Sequence, residues 1–231
     1  MAVPPEELDW ILRELSGEEL ARGPAAPEVL DLRERAAILL ALAGRFPEAI
    51  AHFRLVVAGH TRTLGRDADA TLVTRARLAC VLDDVARLDE AVDSYRELVR
   101  DLERVRGADA PETLTNRHNL GYCLARKRRF NEAIEVFEAV FVDRARVLGV
   151  DDPEVLATGR LSAYCLAEAG RFDEAVDRYR WVLAGFERVC GRTDLDTMKA
   201  RGGLAYSFAV GGRFAEAVEQ LEILVSDRES V

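Results

Sequence analysis

Gly44-Arg45-Phe46-Pro47-Glu48-Ala49 is the first of five versions of one hexapeptide. It returns as Ala86-Arg87-Leu88-Asp89-Glu90-Ala91, Arg128-Arg129-Phe130-Asn131-Glu132-Ala133, Gly170-Arg171-Phe172-Asp173-Glu174-Ala175 and Gly212-Arg213-Phe214-Ala215-Glu216-Ala217. The step is 42 residues each time, with no insertion or deletion. A second column, Gly23, Gly65, Gly107, Gly149 and Gly191, keeps the same phase. So do Pro27-Glu28, Pro111-Glu112 and Pro153-Glu154. A period of this length marks stacked supersecondary units, each burying its apolar face against its neighbours.

Each unit reads as two helices. In the third, Leu114, Leu120, Tyr122, Cys123 and Leu124 have helical spacing. After the turn at Arg128-Arg129, Ala133, Ile134, Phe137, Val140 and Phe141 recur at steps of three and four, one apolar helical face. Gly149 stands where a left-handed C-cap belongs, and Asp151-Asp152-Pro153-Glu154 opens the next helix with a cap, a first-turn proline and an acid. The phase gives an N-terminal helix over 4–22, with Leu8, Ile11 and Leu15 inward, and helix pairs over about 27–64, 71–106, 113–148, 155–190 and 197–231. Eleven helices are expected, in one array over 1–231 without a linker.

The pattern resembles a tetratricopeptide repeat array of the long, 42-residue kind seen in kinesin light chains. The residues that carry the likeness are Leu120-Gly121, Leu124, Ala133 and Phe137, with Leu78-Ala79, Leu82, Ala91 and Tyr95 one repeat earlier. Ala163, Leu166, Ala175 and Tyr179 follow, then Leu204-Ala205, Phe208, Ala217 and Leu221. The resemblance implies an all-α, right-handed α-solenoid of helix-turn-helix units. It also implies a concave groove lined by the first helix of each pair.

The whole chain has 231 residues, of which 49% are hydrophobic and 32% charged, with a net charge of −9. Such a balance argues for a packed core and against binding nucleic acid or an anionic membrane surface, which needs a basic face. The run Arg126-Lys127-Arg128-Arg129 is a short cluster followed by Glu132, Glu135 and Glu138, and reads as a solvated turn. The N-terminus lacks the basic start and apolar core of a secretory signal, and no apolar stretch approaches a membrane span. Four cysteines, Cys80, Cys123, Cys165 and Cys190, show no metal-site spacing and fit a cytoplasmic protein with reduced thiols. Two lysines against thirty arginines point to a GC-rich bacterial genome. No hydrolase, phosphate-loop, dinucleotide or zinc-protease motif occurs, and His52 and His60 lack a third ligand, so neither a catalytic site nor a cofactor is expected.

The resemblance directs attention to the groove. Its projected lining in the last three units is Thr115, His118, Tyr122 and Arg126, then Arg160, Tyr164 and Glu168, then Lys199, Gly202 and Tyr206, and Asn119 falls in a column where the family often uses asparagine to contact a peptide backbone. Tyr122, Tyr164 and Tyr206 form a ladder with the repeat's period. Either these rings pack between helices with hydroxyls toward solvent, or they contact a ligand as rigid amphipathic anchors. Asp31, Glu34, Asp83 and Asp84 make the first units acidic, whereas Arg126, Arg160 and Lys199 make the later ones largely basic. Gly202-Gly203 within a helix reads either as a close helix contact or as bare groove. The functional expectation is a non-catalytic scaffold or regulatory module that binds a protein or peptide, with an acidic or C-terminal segment as ligand. The alternatives are a structural oligomerisation unit, or a small-molecule-binding or enzymatic protein using the same groove. Val218, Leu221, Leu224 and Val225 on the final helix add the expectation of a weak homodimer.

Overall fold

A computed structural model describes residues 5–229, and among them it forms eleven α-helices and no strand. They are α1 (Pro5–Arg22), α2 (Pro27–Leu42), α3 (Phe46–Thr63), α4 (Asp69–Asp84), α5 (Leu88–Arg106), α6 (Pro111–Arg126), α7 (Phe130–Leu148), α8 (Pro153–Glu168), α9 (Phe172–Cys190), α10 (Leu195–Val210) and α11 (Phe214–Glu229). The expected helix pairs are all present. The ends of the first and last expected segments, residue 4 and residues 230–231, lie outside the described residues. Backbone contacts divide the chain into two compact units, residues 1–105 and 106–231, and each is described by itself.

The turn inside each pair explains why the hexapeptide recurs. Its first residue ends a helix at positive φ: 76° at Gly44, 79° at Gly170 and 77° at Gly212. The next residue's amide then donates five residues back, from Arg45 to the Leu40 carbonyl at 2.8 Å and from Arg171 to that of Leu166 at 2.9 Å, which closes a Schellman turn. That arginine reaches forward to the glutamate three residues on. Arg45 Nε donates to Glu48 at 2.7 Å, and the same pair recurs as Arg87–Glu90, Arg129–Glu132, Arg171–Glu174 and Arg213–Glu216. Ala86 and Arg128 occupy the glycine position with φ of 58° and 59°, where a side chain is strained.

Between pairs a second device operates. Gly149, expected as a left-handed cap, instead has φ 93° and ψ 152°, a mirror-extended conformation open to glycine alone. Gly191 has φ 87° and ψ 167°. The hydroxyls of Thr71, Thr113 and Thr197 donate to the carbonyls of Gly65, Gly107 and Gly191 at 2.7–2.9 Å, tying loop to helix. Where the fourth repeat has Val155 at this position, the Asp152 carboxylate caps α8 by accepting from the Glu154 amide at 2.8 Å.

One large ring per repeat fills the space between helices: Phe53, Tyr95, Phe137 and Tyr179 are all buried. For two of these rings the facing helix yields room. A Cβ on Gly121 would lie 2.9 Å from the Phe137 ring, and one on Gly203 would clash with Tyr179. Gly203 is therefore a close helix contact, whereas a Cβ on Gly202 would meet only Leu224, at 3.9 Å. Leu221, the fifth member of the column, is exposed.

Polar contacts alternate with close approach at a second level. Asp101 in α5 accepts from Arg75 at 2.6 Å, Arg66 at 2.8 Å and Arg104 at 3.2 Å. Burial works against its charge, but these three donors outweigh it and hold the carboxyl at about 2. One repeat on, Asp143 accepts from Arg117 at 2.7 Å. In the fifth, Asp227 lies 3.6 Å from Arg201. In the fourth repeat both positions are glycine: a Cβ on Gly159 would lie 3.0 Å from Val182, and one on Gly185 would clash with Leu156.

The strained turn makes a stability prediction. Ala86→Gly relieves the positive-φ conformation and should stabilise the protein by about 1 kcal/mol, despite the extra chain entropy of glycine in the unfolded state. The readout is the urea midpoint, and an unchanged or lower midpoint contradicts the assigned conformation.

Candidate functional site

Within residues 106–231, α6, α8 and α10 lie side by side: α6 contacts α8, and α8 contacts α10. Each is the first helix of its pair, and positions 42 apart therefore form columns across the three helices. Residues four apart on one helix share a face, which places His118, Tyr122 and Arg126 along α6.

The tyrosine column is uniform. Tyr122, Tyr164 and Tyr206 are 44%, 41% and 43% exposed, a recurrence that sets them apart from the buried aromatic column. The surroundings of the rings differ. The Arg126 guanidinium carbon lies 6.0 Å from the Tyr122 ring centre. Tyr164 stands edge-on to Phe130, with centroids 6.3 Å apart. The Tyr206 hydroxyl donates to Glu168, which also lies 3.7 Å from Arg128. The hydroxyls of Tyr122 and Tyr164 make no hydrogen bond to another described residue.

The cations fall into three situations. Lys199 is exposed and pairs with Asp196 at 2.9 Å. Arg126 is exposed beside Tyr122. Arg160 is half-buried, makes no ion pair with a described residue, and has a buried Nε without a hydrogen-bond partner. Its neighbour in the column is Gly202, where a Cβ would meet only Leu224, at 3.9 Å. Asn119 is half-buried on α6.

His118 is drawn into the helix packing. Its ring meets Phe137 edge-on at 5.5 Å, and its Nδ1 lies 3.3 Å from the Thr158 hydroxyl and 3.4 Å from a guanidinium nitrogen of Arg144. Burial, reinforced by the positive charges of Arg144 and Arg160, lowers its pKa to about 4, so the ring is neutral at pH 7. The sequence reading missed Arg144 and Thr158, although a parallel exists two repeats earlier. There the Thr74 hydroxyl donates to Glu34 at 2.6 Å and lies 3.4 Å from His60, at the positions equivalent to Thr158, His118 and Arg144. Polar residues at a buried column in both copies were the available signal.

Of the thiols, Cys123 and Cys165 are buried while Cys80 and Cys190 are exposed. Burial pushes Cys165 up to about 12, which makes it a poor nucleophile. Among the described residues no group of three or more His, Cys, Asp or Glu side chains could hold a metal ion, and no helix is long and apolar enough to cross a membrane.

The depressed pKa of His118 has a definite sign. The folded protein binds this proton less readily than the unfolded chain, so the contribution to stability is present above the unfolded pKa near 6.5 and is lost as pH falls toward 4. Comparison of urea midpoints at pH 7 and pH 4.5 should show a smaller acid loss for His118→Gln than for the unmodified chain. Equal losses would remove His118 as the source.

A family model described as tetratricopeptide repeat matches residues 28–104 and 112–188, and a second model of the same description matches residues 163–229. No curated protein matches the chain. Among solved structures, a Podosopora anserina protein assigned as a kinesin light chain with nearly identical TPR-like repeats is 22% identical, with a TM-score of 0.78; the match covers 90% of this chain and 98% of that one. BtubC (BKLC) from P. vanneervenii is 16% identical over 97% of this chain and 89% of its own, with a TM-score of 0.77. YrrB, described as a TPR protein with an unusual peptide-binding site, is 16% identical over 93% of this chain and 92% of its own, with a TM-score of 0.59. At these identities the likeness is one of fold, and the family assignment rests on the two repeat models, which together span most of the chain. The chain belongs to the tetratricopeptide repeat family.

Proposed function

We propose that this chain is a non-catalytic scaffold or regulatory module that binds a protein or peptide. On this reading, the face built from His118, Asn119, Tyr122, Arg126, Arg160, Tyr164, Lys199 and Tyr206 receives an acidic or C-terminal segment. The observation that carries the proposal is the pairing of an exposed tyrosine ladder with Arg160, a half-buried cation without an anionic partner among the described residues. Burying an uncompensated charge is costly, and a carboxylate from a ligand would compensate it. Within the face the roles divide. Tyr122, Arg126, Tyr164, Lys199 and Tyr206 offer exposed contacts, while His118, Asn119 and Arg160 lie deeper. Four free thiols, two of them buried, suit a cytoplasmic setting.

The test is charge reversal. Arg160→Glu combined with Lys199→Glu should weaken binding of an acidic peptide by at least about tenfold at low salt, chiefly through the association rate. Arg160→Gln, which keeps the side chain long, guards against loss of packing. Unchanged affinity in both variants overturns the proposed site.

A second proposal concerns weak self-association through α11. Val218, Leu221 and Val225 are exposed on this helix beside Glu222 and Glu229, and Phe214 is exposed at its start. Leu224, expected in the same patch, is instead buried. The glutamates would face like charges across a symmetric contact, which makes the dimer weak and strengthened by salt. Light scattering should show mass rising with concentration and Leu221→Glu holding the protein monomeric. A monomer at every concentration removes the dimer.

A further inference from the structure

The repeat period constrains the form of the ligand as well as its charge. Tyr122, Tyr164 and Tyr206 stand on α6, α8 and α10, and neighbouring helices in this row touch. Packed helix axes lie about 8–10 Å apart, so the rings recur at about that spacing. A polyproline II segment has three residues per turn and advances about 9 Å per turn, so every third side chain returns to the same face at the same interval. A β-strand puts residues three apart on opposite faces. An α-helix matches the interval only over seven residues, about 10.5 Å, and its backbone is already hydrogen-bonded.

The hydroxyls decide between polyproline II and the α-helix. Those of Tyr122 and Tyr164 have no hydrogen-bond partner among the described residues. A polyproline II backbone leaves its carbonyls free to accept from such donors, and proline rings lie flat on aromatic faces. Arg160 lies one helical turn from Tyr164 and Lys199 two turns from Tyr206 on the same helix faces, and their charge calls for acidic residues between the prolines. Tyr206 donates to Glu168, so the last rung is oriented before any ligand arrives.

We propose that the tyrosine ladder is a docking strip for an acidic, proline-rich segment in the polyproline II conformation, with a proline at every third position seated on successive tyrosines. This rests on the acidic-segment reading of the same face and adds the ligand's backbone form. The ligand pays little conformational entropy, because the conformation largely exists before binding.

The test uses the full chain and three capped peptides of equal charge, titrated calorimetrically. The peptides are four repeats of Pro-Pro-Glu, four repeats of Gly-Gly-Glu, and an α-helical peptide with leucine at heptad spacing. The Pro-Pro-Glu peptide should bind at least about tenfold tighter than the glycine peptide, with the helical peptide no tighter than the latter. Tyr164→Ala should remove the proline advantage and Tyr164→Phe should remove part of it, with both variants melting as the parent does. Equal affinity for the proline and glycine peptides, tighter binding of the helical peptide, or an advantage that survives Tyr164→Ala each overturns the proposal. The broader reading fails separately. If Arg160→Glu with Lys199→Glu weakens the proline and glycine peptides alike, an acidic segment still binds whether or not proline matters. If charge reversal changes neither, the acidic preference falls. No detectable binding of any peptide at millimolar concentration overturns both.

Discussion

Two of the four buried rings are seated where the facing helix gives up a side chain. Phe137 lies against Gly121, and Tyr179 against Gly203, at separations that leave no room for a Cβ. Leu30 against Gly59 and Leu156 against Gly185 repeat the bargain with aliphatic groups. Interiors are packed densely enough for a single methyl to matter, so these notches set how closely the helices approach and in which register.

The buried polar pairs obey the same constraint by a different route. Arg75 with Asp101, Arg117 with Asp143, and Arg201 with Asp227 join the two helices of their repeats. The fourth repeat has glycine at both positions, and Phe141, Trp181, Val182 and Leu156 fill the space. A buried carboxylate without its arginine would be an uncompensated charge, and an arginine without its carboxylate likewise. In these four repeats the pair is therefore kept or discarded as a unit. The first repeat departs from this: Gly59 stands where the aspartate would be, and the retained Arg33 pairs instead with Glu19 at 2.5 Å.

The fold was legible because its signals are local and repeated. The hexapeptide, the column of Phe53, Tyr95, Phe137 and Tyr179, and the prolines at Pro27, Pro111 and Pro153 placed the helices to within about two residues. The strain at Ala86 and Arg128 was also open to reading, since both occupy a position held elsewhere by glycine. The site was harder. His118 appeared from helical spacing to share the face of Tyr122 and Arg126, yet its partners Arg144 and Thr158 lie 26 and 40 residues away. No periodicity within one helix reports such contacts. Leu224 was misjudged for a similar reason: apolar spacing shows that a residue lies on an apolar face, while burial also depends on the rotation of α11 against α10.

Thirty of the thirty-two basic side chains are arginine. Guanidinium groups keep their charge throughout the pH range in which the protein is folded, and they ignore acylating reagents. The two ammonium groups sit apart in role. Lys127 closes α6 as its C-terminal cap, and Lys199 stands exposed on the tyrosine-lined face. Chemistry directed at amines thus meets a surface almost free of targets, with one of its two lysines beside the ladder. Acylation there would erase one positive charge and leave every guanidinium intact. A segment lying across α10 would shield the same amine, so the extent of labelling at Lys199 becomes a chemical record of occupancy.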